Sequence, residues 1–120
     1  MANVLVVEDN DSNLTLVTVI LESLGHAVLA ARDAAEGIRM AQHQSPDLVL
    51  MDIQLPGMDG LEATRRLKEN PATRHIKVAA LTAFAMKGDE ERIRAAGCDD
   101  YIAKPIRHAE FVTKISQLLA

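Results

Sequence analysis

Four short, mainly apolar segments of the chain each end in polar residues that could contact a metal ion or a phosphate. Residues 4–7, 48–51, 78–81 and 101–103 are followed by Glu8-Asp9, Asp52, Thr82 and Lys104-Pro105, respectively. The carboxyl ends of parallel strands meet at one edge of a sheet. If the segments are such strands, three acids, a hydroxyl and an ammonium share one crevice, which predicts a site for a divalent cation and a phosphoryl group.

The acids of this set suit a hard cation. Mg²⁺ prefers oxygen ligands, keeps several waters and usually takes one or two protein carboxylates. Asp9 and Asp52 fit that role, and Glu8 is placed to act directly or through a water. The four histidines are scattered, at positions 26, 43, 75 and 108, and no Cys/His spacing typical of zinc occurs. The sequence therefore favours magnesium over zinc.

Asp52 also fits the role of a nucleophile that forms an acyl phosphate. Its negative charge resists attack on a phosphate, and a bound cation together with Lys104 would offset that repulsion. Thr82 could donate its hydroxyl to a phosphoryl oxygen, and the small Ala83 beside it leaves the approach to Asp52 open. Lys104-Pro105 is a candidate for a cis peptide bond, although only about one X-Pro bond in twenty is cis.

Each residue taken singly has a structural interpretation that is more common than the functional one. Asp9 could belong to a helix start, and Asp52 could cap a turn. Thr82 could be an ordinary β-branched strand residue, and Lys104 could be a solvated surface lysine. The functional interpretation rests on all four segment ends being polar in a chemically compatible way.

The remaining pattern predicts an α/β fold. Strands are expected at residues 3–7, 27–30, 48–51, 78–81 and 101–103, several of them continuously apolar, as in strands covered on both faces. Helical stretches alternate with them, which favours a parallel sheet with right-handed crossovers. The expected fold is a doubly wound, flavodoxin-like sheet in the order 2-1-3-4-5. Ligands bind such sheets where strands 1 and 3 meet, and the residues that end these strands are Asp9 and Asp52.

Helix boundaries follow from capping residues. The first helix has apolar residues spaced three and four apart, with Asp11 or Ser12 as the expected cap and Gly25 as a left-handed end. Asp33 and Asp59 each precede a glutamate by three residues and are expected to cap the second and third helices. Asn70-Pro71 should end the third helix. A fourth helix is expected from about residue 89 to 96, and a fifth contains Phe111 and Ile115.

Composition limits the classes of protein. The 120 residues suit one domain, expected to span 1–120 without an output domain. The net charge of −4 disfavours a nucleic-acid surface. Cys98 is the lone cysteine, so no internal disulfide can form and a reducing, cytoplasmic location is expected. Apolar runs are too short to insert into a membrane.

The combined motif resembles the receiver domain of bacterial response regulators. The resemblance rests on Glu8-Asp9, Thr82 and Lys104-Pro105, and on the sequence MDIQLPGMDG that surrounds Asp52. It covers essentially the whole chain, and its expected fold is the receiver fold. Within the family, residues 82–94 are most similar to single-domain cell-cycle regulators of the DivK type.

The resemblance implies a role for each site residue. Asp52 would accept a phosphoryl group from a phosphohistidine, and Lys104 would pair with that group. Mg²⁺, or Mn²⁺ in its place, would be held by Asp9, Asp52 and the backbone carbonyl of Gln54, with assistance from Glu8. Two further pairs complete the set: Thr82 and Tyr101 would move as a switch, and Gln54 and Phe84 would tune dephosphorylation.

The resemblance also implies partners. The donor would be a sensor histidine kinase or a histidine phosphotransfer protein. The face formed by the fourth helix, fifth strand and fifth helix would bind a downstream protein after phosphorylation. The protein is expected to be a monomer or a weak dimer and to pass its signal through protein binding or a phosphorelay.

Two alternatives to a stand-alone regulator remain open at this level. The chain could be a receiver domain cut from a hybrid histidine kinase or a larger regulator. It could instead be a phosphohydrolase with an aspartate nucleophile, but such enzymes generally have a further acid two residues after the nucleophile. That position is Gln54, which disfavours the enzyme.

Overall fold

The fold is an alternating series of strands and helices. The computed structural model describes residues 1–83 and 87–120, excepting the side chain of Lys87. Within these residues the elements are β1 Asn3–Val7, α1 Asp11–Ser23, β2 Ala27–Ala31, α2 Ala34–Gln44, β3 Leu48–Asp52, α3 Gly60–Glu69, β4 Lys77–Thr82, α4 Lys87–Ala95, β5 Asp100–Ala103 and α5 His108–Leu118. The predicted alternation is confirmed, and several elements extend one or two residues further than predicted.

The described strands form one parallel sheet in the order β2-β1-β3-β4-β5. This confirms the predicted fold and strand order. β1 and β3 are therefore neighbours, with Val7 opposite Met51 in the register. The residues that follow these two positions emerge side by side at the carboxyl edge, where the crossovers from β1 and β3 leave toward opposite faces of the sheet.

The core has two layers, one on each face of the sheet. Side chains of successive strand residues point to opposite faces, so Val7 and Met51 face α2, α3 and α4, whereas Val6 and Leu50 face α1 and α5. The second layer contains Phe111, the largest fully buried side chain among the described residues. Apart from the first residue of β1, the residues of the central strands β1 and β3 are buried on both faces, as the continuous apolar runs predicted.

The structure confirms the predicted capping residue for two of the three helices whose caps were predicted. Asp33 and Asp59 accept hydrogen bonds from the backbone of the residues three positions later, which confirms them as caps. The expectation that Asp11 or Ser12 caps α1 is wrong, because Asn10 has extended backbone angles and accepts from Asn13 N at 2.9 Å. Asn10 therefore caps α1, one residue before the first of the two predicted cap positions. Asp11 adds a negative charge to the first turn of the helix.

The predicted ends of α1 and α3 are also observed. Gly25 follows the last turn of α1 with φ +88°, a left-handed conformation that glycine adopts at little cost. α3 ends at Glu69, directly before Asn70-Pro71. α4 begins two residues before its predicted start at Asp89.

Candidate functional site

Asp52 is the last residue of β3 and lies near the centre of the carboxyl edge of the sheet. Its residue surface is only 3% exposed. The Gln54 backbone N–H donates to Asp52 Oδ1 at 2.9 Å. Lys104 Nζ lies 3.1 Å from Asp52 Oδ2. Both oxygens are thus held, so the carboxylate has a fixed orientation.

Glu8 and Asp9 follow β1 on the neighbouring strand and differ in exposure. Glu8 is fully buried, and its backbone N–H donates to Ala31 O at 2.9 Å, which continues the pairing with β2. Asp9 is exposed at the mouth of the crevice. One carboxylate oxygen from each of Glu8, Asp9 and Asp52 lies within 4.8 Å of the other two. The structure therefore brings the three predicted acids together.

Lys104 connects two of these acids. Its Nζ lies 2.9 Å from Glu8 Oε1 as well as 3.1 Å from Asp52 Oδ2, and the ion pairs are largely buried. Burial alone would lower the pKa of Lys104, but its contacts with Glu8 and Asp52 outweigh burial and raise that pKa. The lysine is thus a firmly charged counter-ion to the two acids.

Glu8 experiences the opposite balance. Burial raises its pKa from the ordinary 4.5 to about 7, and the neighbouring Asp52 carboxylate acts in the same direction. Lys104 opposes this change but does not cancel it. One lysine therefore does not fully offset two buried carboxyl groups, which favours either a retained proton or a further cation.

The residues present fit a hard divalent cation. Among the described residues, Glu8 Oε2 is a buried oxygen without a hydrogen-bond partner. A buried acceptor is normally paired, and clustered carboxylate oxygens are the ligands that Mg²⁺ prefers. Asp9 adds an exposed carboxylate oxygen, so a cation at this position could keep several of its water ligands. The donor set thus matches Mg²⁺ and contains neither sulfur nor imidazole.

Thr82 and Lys104 lie on neighbouring strand ends. Thr82 ends β4 and is buried, and Lys104 directly follows β5. The Lys104 backbone N–H donates to Thr82 O at 2.7 Å, so the two residues are tied together. The Lys104-Pro105 peptide bond is cis.

Tyr101 contacts residues of α4 and α5. Its hydroxyl donates to Glu90 Oε2 at 3.4 Å. Arg94 and Lys114 lie 6.0 and 5.5 Å from the ring centroid. Both cations also pair with Asp100, the residue that precedes the tyrosine. These contacts keep Tyr101 half-buried among charged groups at the surface.

The two residues expected to tune dephosphorylation differ in what can be described. Gln54 is exposed beside Asp52. Phe84 lies outside the described residues. The influence of both on dephosphorylation remains a prediction.

Sequence reasoning missed two residues that contact the site. Arg32, after β2, donates to Asp9 O at 3.5 Å and pairs with the Asp11 carboxylate. Gly60, the first residue of α3, lies against the backbone of Asp52. No local pattern marks Arg32, whereas a glycine at the start of a helix is an observable signal for Gly60, because glycine is a poor helix former.

In the described part of the chain, no helix has both the length and the apolar character that a membrane span requires.

Known proteins are similar to this chain in sequence and in fold. The sequence pattern of the response regulator receiver domain matches residues 4–116. The polar-differentiation response regulator DivK of Brucella anthropi is 48% identical over 117 residues, which cover 98% of this chain and 95% of DivK.

Solved structures agree with these sequence matches. The receiver domain of a sensor histidine kinase from Pseudomonas aeruginosa, with a magnesium ion in its active site cleft, is 38% identical, with a TM-score of 0.90 and coverage of 98% and 97% of the two chains. The chemotaxis response regulator CheY4 of Vibrio cholerae is 24% identical and covers 99% of each chain, and its TM-score of 0.94 shows the shared fold.

The family match spans nearly the whole chain, and the acids at the carboxyl edge lie where the motif predicted them. These observations set aside the phosphohydrolase alternative, because the matched family consists of signalling domains and not metabolic enzymes. The chain belongs to the response regulator receiver domain family.

Proposed function

We propose that Asp52 is the phosphoacceptor. A carboxylate oxygen of Asp52 forms the new bond to phosphorus, the bond between phosphorus and a histidine nitrogen of the donor breaks, and that nitrogen regains a proton. The main support is the position of Asp52, with its carboxylate fixed by Gln54 N and Lys104 Nζ beside the acids of Glu8 and Asp9. The donor is a sensor histidine kinase or a histidine phosphotransfer protein.

The proposed cofactor is Mg²⁺, and Mn²⁺ is an alternative. Asp9, Asp52 and the Gln54 backbone carbonyl would hold it, and Glu8 would assist. When bound, the cation offsets the repulsion between the Asp52 carboxylate and the incoming phosphoryl oxygens. Support comes from the unpartnered Glu8 Oε2 and from the three clustered carboxylates.

Lys104 and Thr82 would stabilise the phosphorylated state. Lys104 already lies against Asp52, so its ammonium needs only a local shift to pair with phosphoryl oxygens. Thr82 is tied to Lys104 through their backbones, and its hydroxyl would donate to another phosphoryl oxygen. The same residues would assist slow hydrolysis of the acyl phosphate.

The output would be a change at the α4-β5-α5 face. A phosphoryl group adds a charge of about −2 and new acceptor oxygens, which can bias an element with two conformations. Tyr101 belongs to such an element in this proposal, and its contacts with Glu90, Arg94 and Lys114 define the resting position. When Thr82 and Tyr101 move, the affinity of this face for a downstream protein would change.

A stand-alone regulator in the cytoplasm, spanning 1–120 as a monomer or weak dimer, is the preferred form. The 95% coverage of DivK supports it. A receiver within a larger histidine kinase is the second candidate, because the Pseudomonas aeruginosa receiver is 38% identical. The reading frame on either side of the chain distinguishes the two.

Small phosphodonors test the proposed function. The wild type, Asp52→Asn and Asp33→Asn should be incubated with phosphoramidate and MgCl₂ or chelator, and the intact proteins weighed. Asp33→Asn is the matched control, because asparagine also caps helices. We expect one phosphoryl adduct in the wild type and the control with Mg²⁺, and none in Asp52→Asn. An equal adduct in Asp52→Asn would disprove the assignment.

A further inference from the structure

Gly60 makes an unusually close backbone contact with the proposed phosphoacceptor. A Cβ built on Gly60 would lie 2.1 Å from Asp52 O and 2.7 Å from Ile53 Cα. Real Cβ atoms essentially never approach heavy atoms closer than 3.0 Å. Because both obstructing atoms belong to the main chain, rotation of a side chain cannot relieve the clash. The first turn of α3 thus lies directly against the end of β3.

Neither backbone is free to move away from this contact. On the α3 side, Gly60 N–H donates to Ile53 O at 3.3 Å, and Gly60 O accepts from the buried Thr64 hydroxyl at 2.8 Å. On the β3 side, Ile53 N–H donates to Leu81 O at 3.2 Å, and Asp52 pairs with Leu81 in the sheet. The Asp52–Ile53 peptide is consequently held between α3 and β4.

The requirement for glycine at position 60 is steric. Its φ does not lie in the left-handed region, so the backbone conformation alone would admit alanine. Alanine is also favoured over glycine within a helix by about 1 kcal/mol. At Gly57 and Gly88, by contrast, an added Cβ would meet nothing within 4 Å. Helix propensity therefore does not account for Gly60, whereas the contact with Asp52 does.

A shift of this peptide would be passed directly to the site. Gln54 N–H, two residues after Asp52, holds Asp52 Oδ1, and Lys104 Nζ holds Oδ2. The same short segment contains the Gln54 carbonyl proposed as a metal ligand. Misplacement by about 1 Å can cost about 100-fold in a positioned reaction.

We infer that Gly60 is a positioning residue for the Asp52 site: by admitting α3 against the Asp52–Ile53 peptide, it fixes the Asp52 carboxylate and the Gln54 segment in the geometry that binds the cation and accepts the phosphoryl group. This inference rests on the proposed function of Asp52. Gly60 does not touch the reacting atoms and acts only through the backbone of Asp52.

The test compares Gly60→Ala with two controls. Gly88→Ala adds the same methyl group in open space, and Leu67→Ala removes a buried side chain from α3 about two turns after Gly60. Three quantities should be measured: the Gln54 amide resonance in chelator, the dissociation constant for MgCl₂ by NMR titration, and the rate of adduct formation with phosphoramidate. The first quantity requires neither metal nor phosphorylation.

We expect Gly60→Ala to shift the Gln54 amide, to weaken Mg²⁺ binding by about tenfold or more, and to slow adduct formation at least as much. Leu67→Ala should lower stability yet keep the wild-type Mg²⁺ affinity and Gln54 resonance, and Gly88→Ala should change neither. A Gly60→Ala protein with wild-type Gln54 resonance and Mg²⁺ affinity overturns the inference. Equal losses in Leu67→Ala also overturn it, because they would reflect general destabilisation.

Failure of the proposed function gives a different result. A folded wild type that binds Mg²⁺ but forms no adduct contradicts the phosphoacceptor role, while the Gln54 resonance and the Mg²⁺ affinity still decide the role of Gly60. If Gly60→Ala does not fold, Thr64→Val replaces it, because this variant removes the hydrogen bond that holds Gly60 O, together with a weak hydrogen bond from Cys98 Sγ at 3.8 Å. A smaller change in the same direction supports the inference, and wild-type values overturn it.

Discussion

At the scale of single residues, Glu8 is unusual because its carboxyl group is fully buried and has a raised pKa. Its position in the crevice follows from the sequence, but its burial does not. Burial arises because Glu8 N–H continues the pairing of β1 with β2 and because Lys104, 96 positions later, covers one of its oxygens. Such long-range contacts leave no local pattern in a sequence, so a pKa raised to about 7 could be found only from the structure.

The raised pKa of Glu8 predicts that the metal-free protein loses stability as pH rises. Above pH 4.5 Glu8 is ionised in the unfolded chain, whereas the folded chain retains the proton until about pH 7. The folded state binds more protons in this window, so the free energy of unfolding should fall from pH 5 to pH 8. We expect a decrease of about 1–3 kcal/mol, measured by urea unfolding in chelator.

Glu8→Gln is the control for this pH dependence, because it keeps the shape of the side chain and removes the titrating group. The decrease in stability attributable to Glu8 should disappear in this variant, and Mg²⁺ should restore stability to the wild type at pH 8. If the wild type and Glu8→Gln lose stability in parallel between pH 5 and pH 8, the pKa of Glu8 is not raised in the folded protein.

At the scale of elements, Tyr101 links α4, β5 and α5. Glu90 and Arg94 contact it from α4, and Lys114 contacts it from α5. Glu90 also pairs with Arg94, so the tyrosine hydroxyl shares its acceptor with an ion pair. This arrangement stabilises the resting position through several weak, exposed interactions, which individually contribute less than about 1 kcal/mol. A modest change at the proposed phosphorylation site would therefore exceed them.

Tyrosine fluorescence should report the release of Tyr101, since the chain has one tyrosine and no tryptophan. We expect emission to rise on phosphorylation, because the hydroxyl leaves the quenching carboxylate of Glu90. Glu90→Gln should raise the resting emission and reduce the further rise. Arg92→Ala, which removes the neighbouring ion pair with Asp89, should behave as the wild type. Identical emission before and after complete phosphorylation would contradict the proposed movement.

Element boundaries were predictable where a local hydrogen bond decides them. Asp33 and Asp59 cap their helices through contacts three residues away, and such spacing is visible in a sequence. The start of α1 was misassigned because Asn10, Asp11 and Ser12 are all good caps, and only the backbone angles select Asn10. The prediction that the strands are buried on both faces was correct, because short continuous apolar runs that alternate with helical stretches are typical of covered parallel sheets.

At the scale of the whole molecule, two apolar layers fix the carboxyl edge on which the site is built. Phe111, a residue of α5, is fully buried in the layer that α1 and α5 form with the sheet. Phe111→Ala should lower the free energy of unfolding by about 3–5 kcal/mol. Leu16→Ala, at a 42% exposed position on α1, should change it by less than about 0.5 kcal/mol. Chemical unfolding followed by circular dichroism compares them, and equal losses would contradict the described core.

The topology and the composition of the site could be predicted together because they depend on one rule. Parallel strands end at a common edge, so Glu8, Asp9, Asp52, Thr82 and Lys104 had to be neighbours once the strands were recognised. Arg32 and Gly60 were missed for opposite reasons. Arg32 contacts Asp9 from the connection after β2, 23 positions later in the chain, and no local pattern indicates this contact. Gly60 matters because it has no Cβ atom, and only the structure shows that such an atom would clash with Asp52.

The most direct test of the central claim is to locate the phosphoryl group. The wild type should be phosphorylated with phosphoramidate and Mg²⁺, reduced with borohydride to convert an aspartyl phosphate to homoserine, and digested for mass spectrometry. We predict homoserine at position 52 alone, and none when chelator replaces Mg²⁺. Modification at another acid, or a phosphorylated protein with Asp52 intact, would contradict the assignment of Asp52 as the phosphoacceptor.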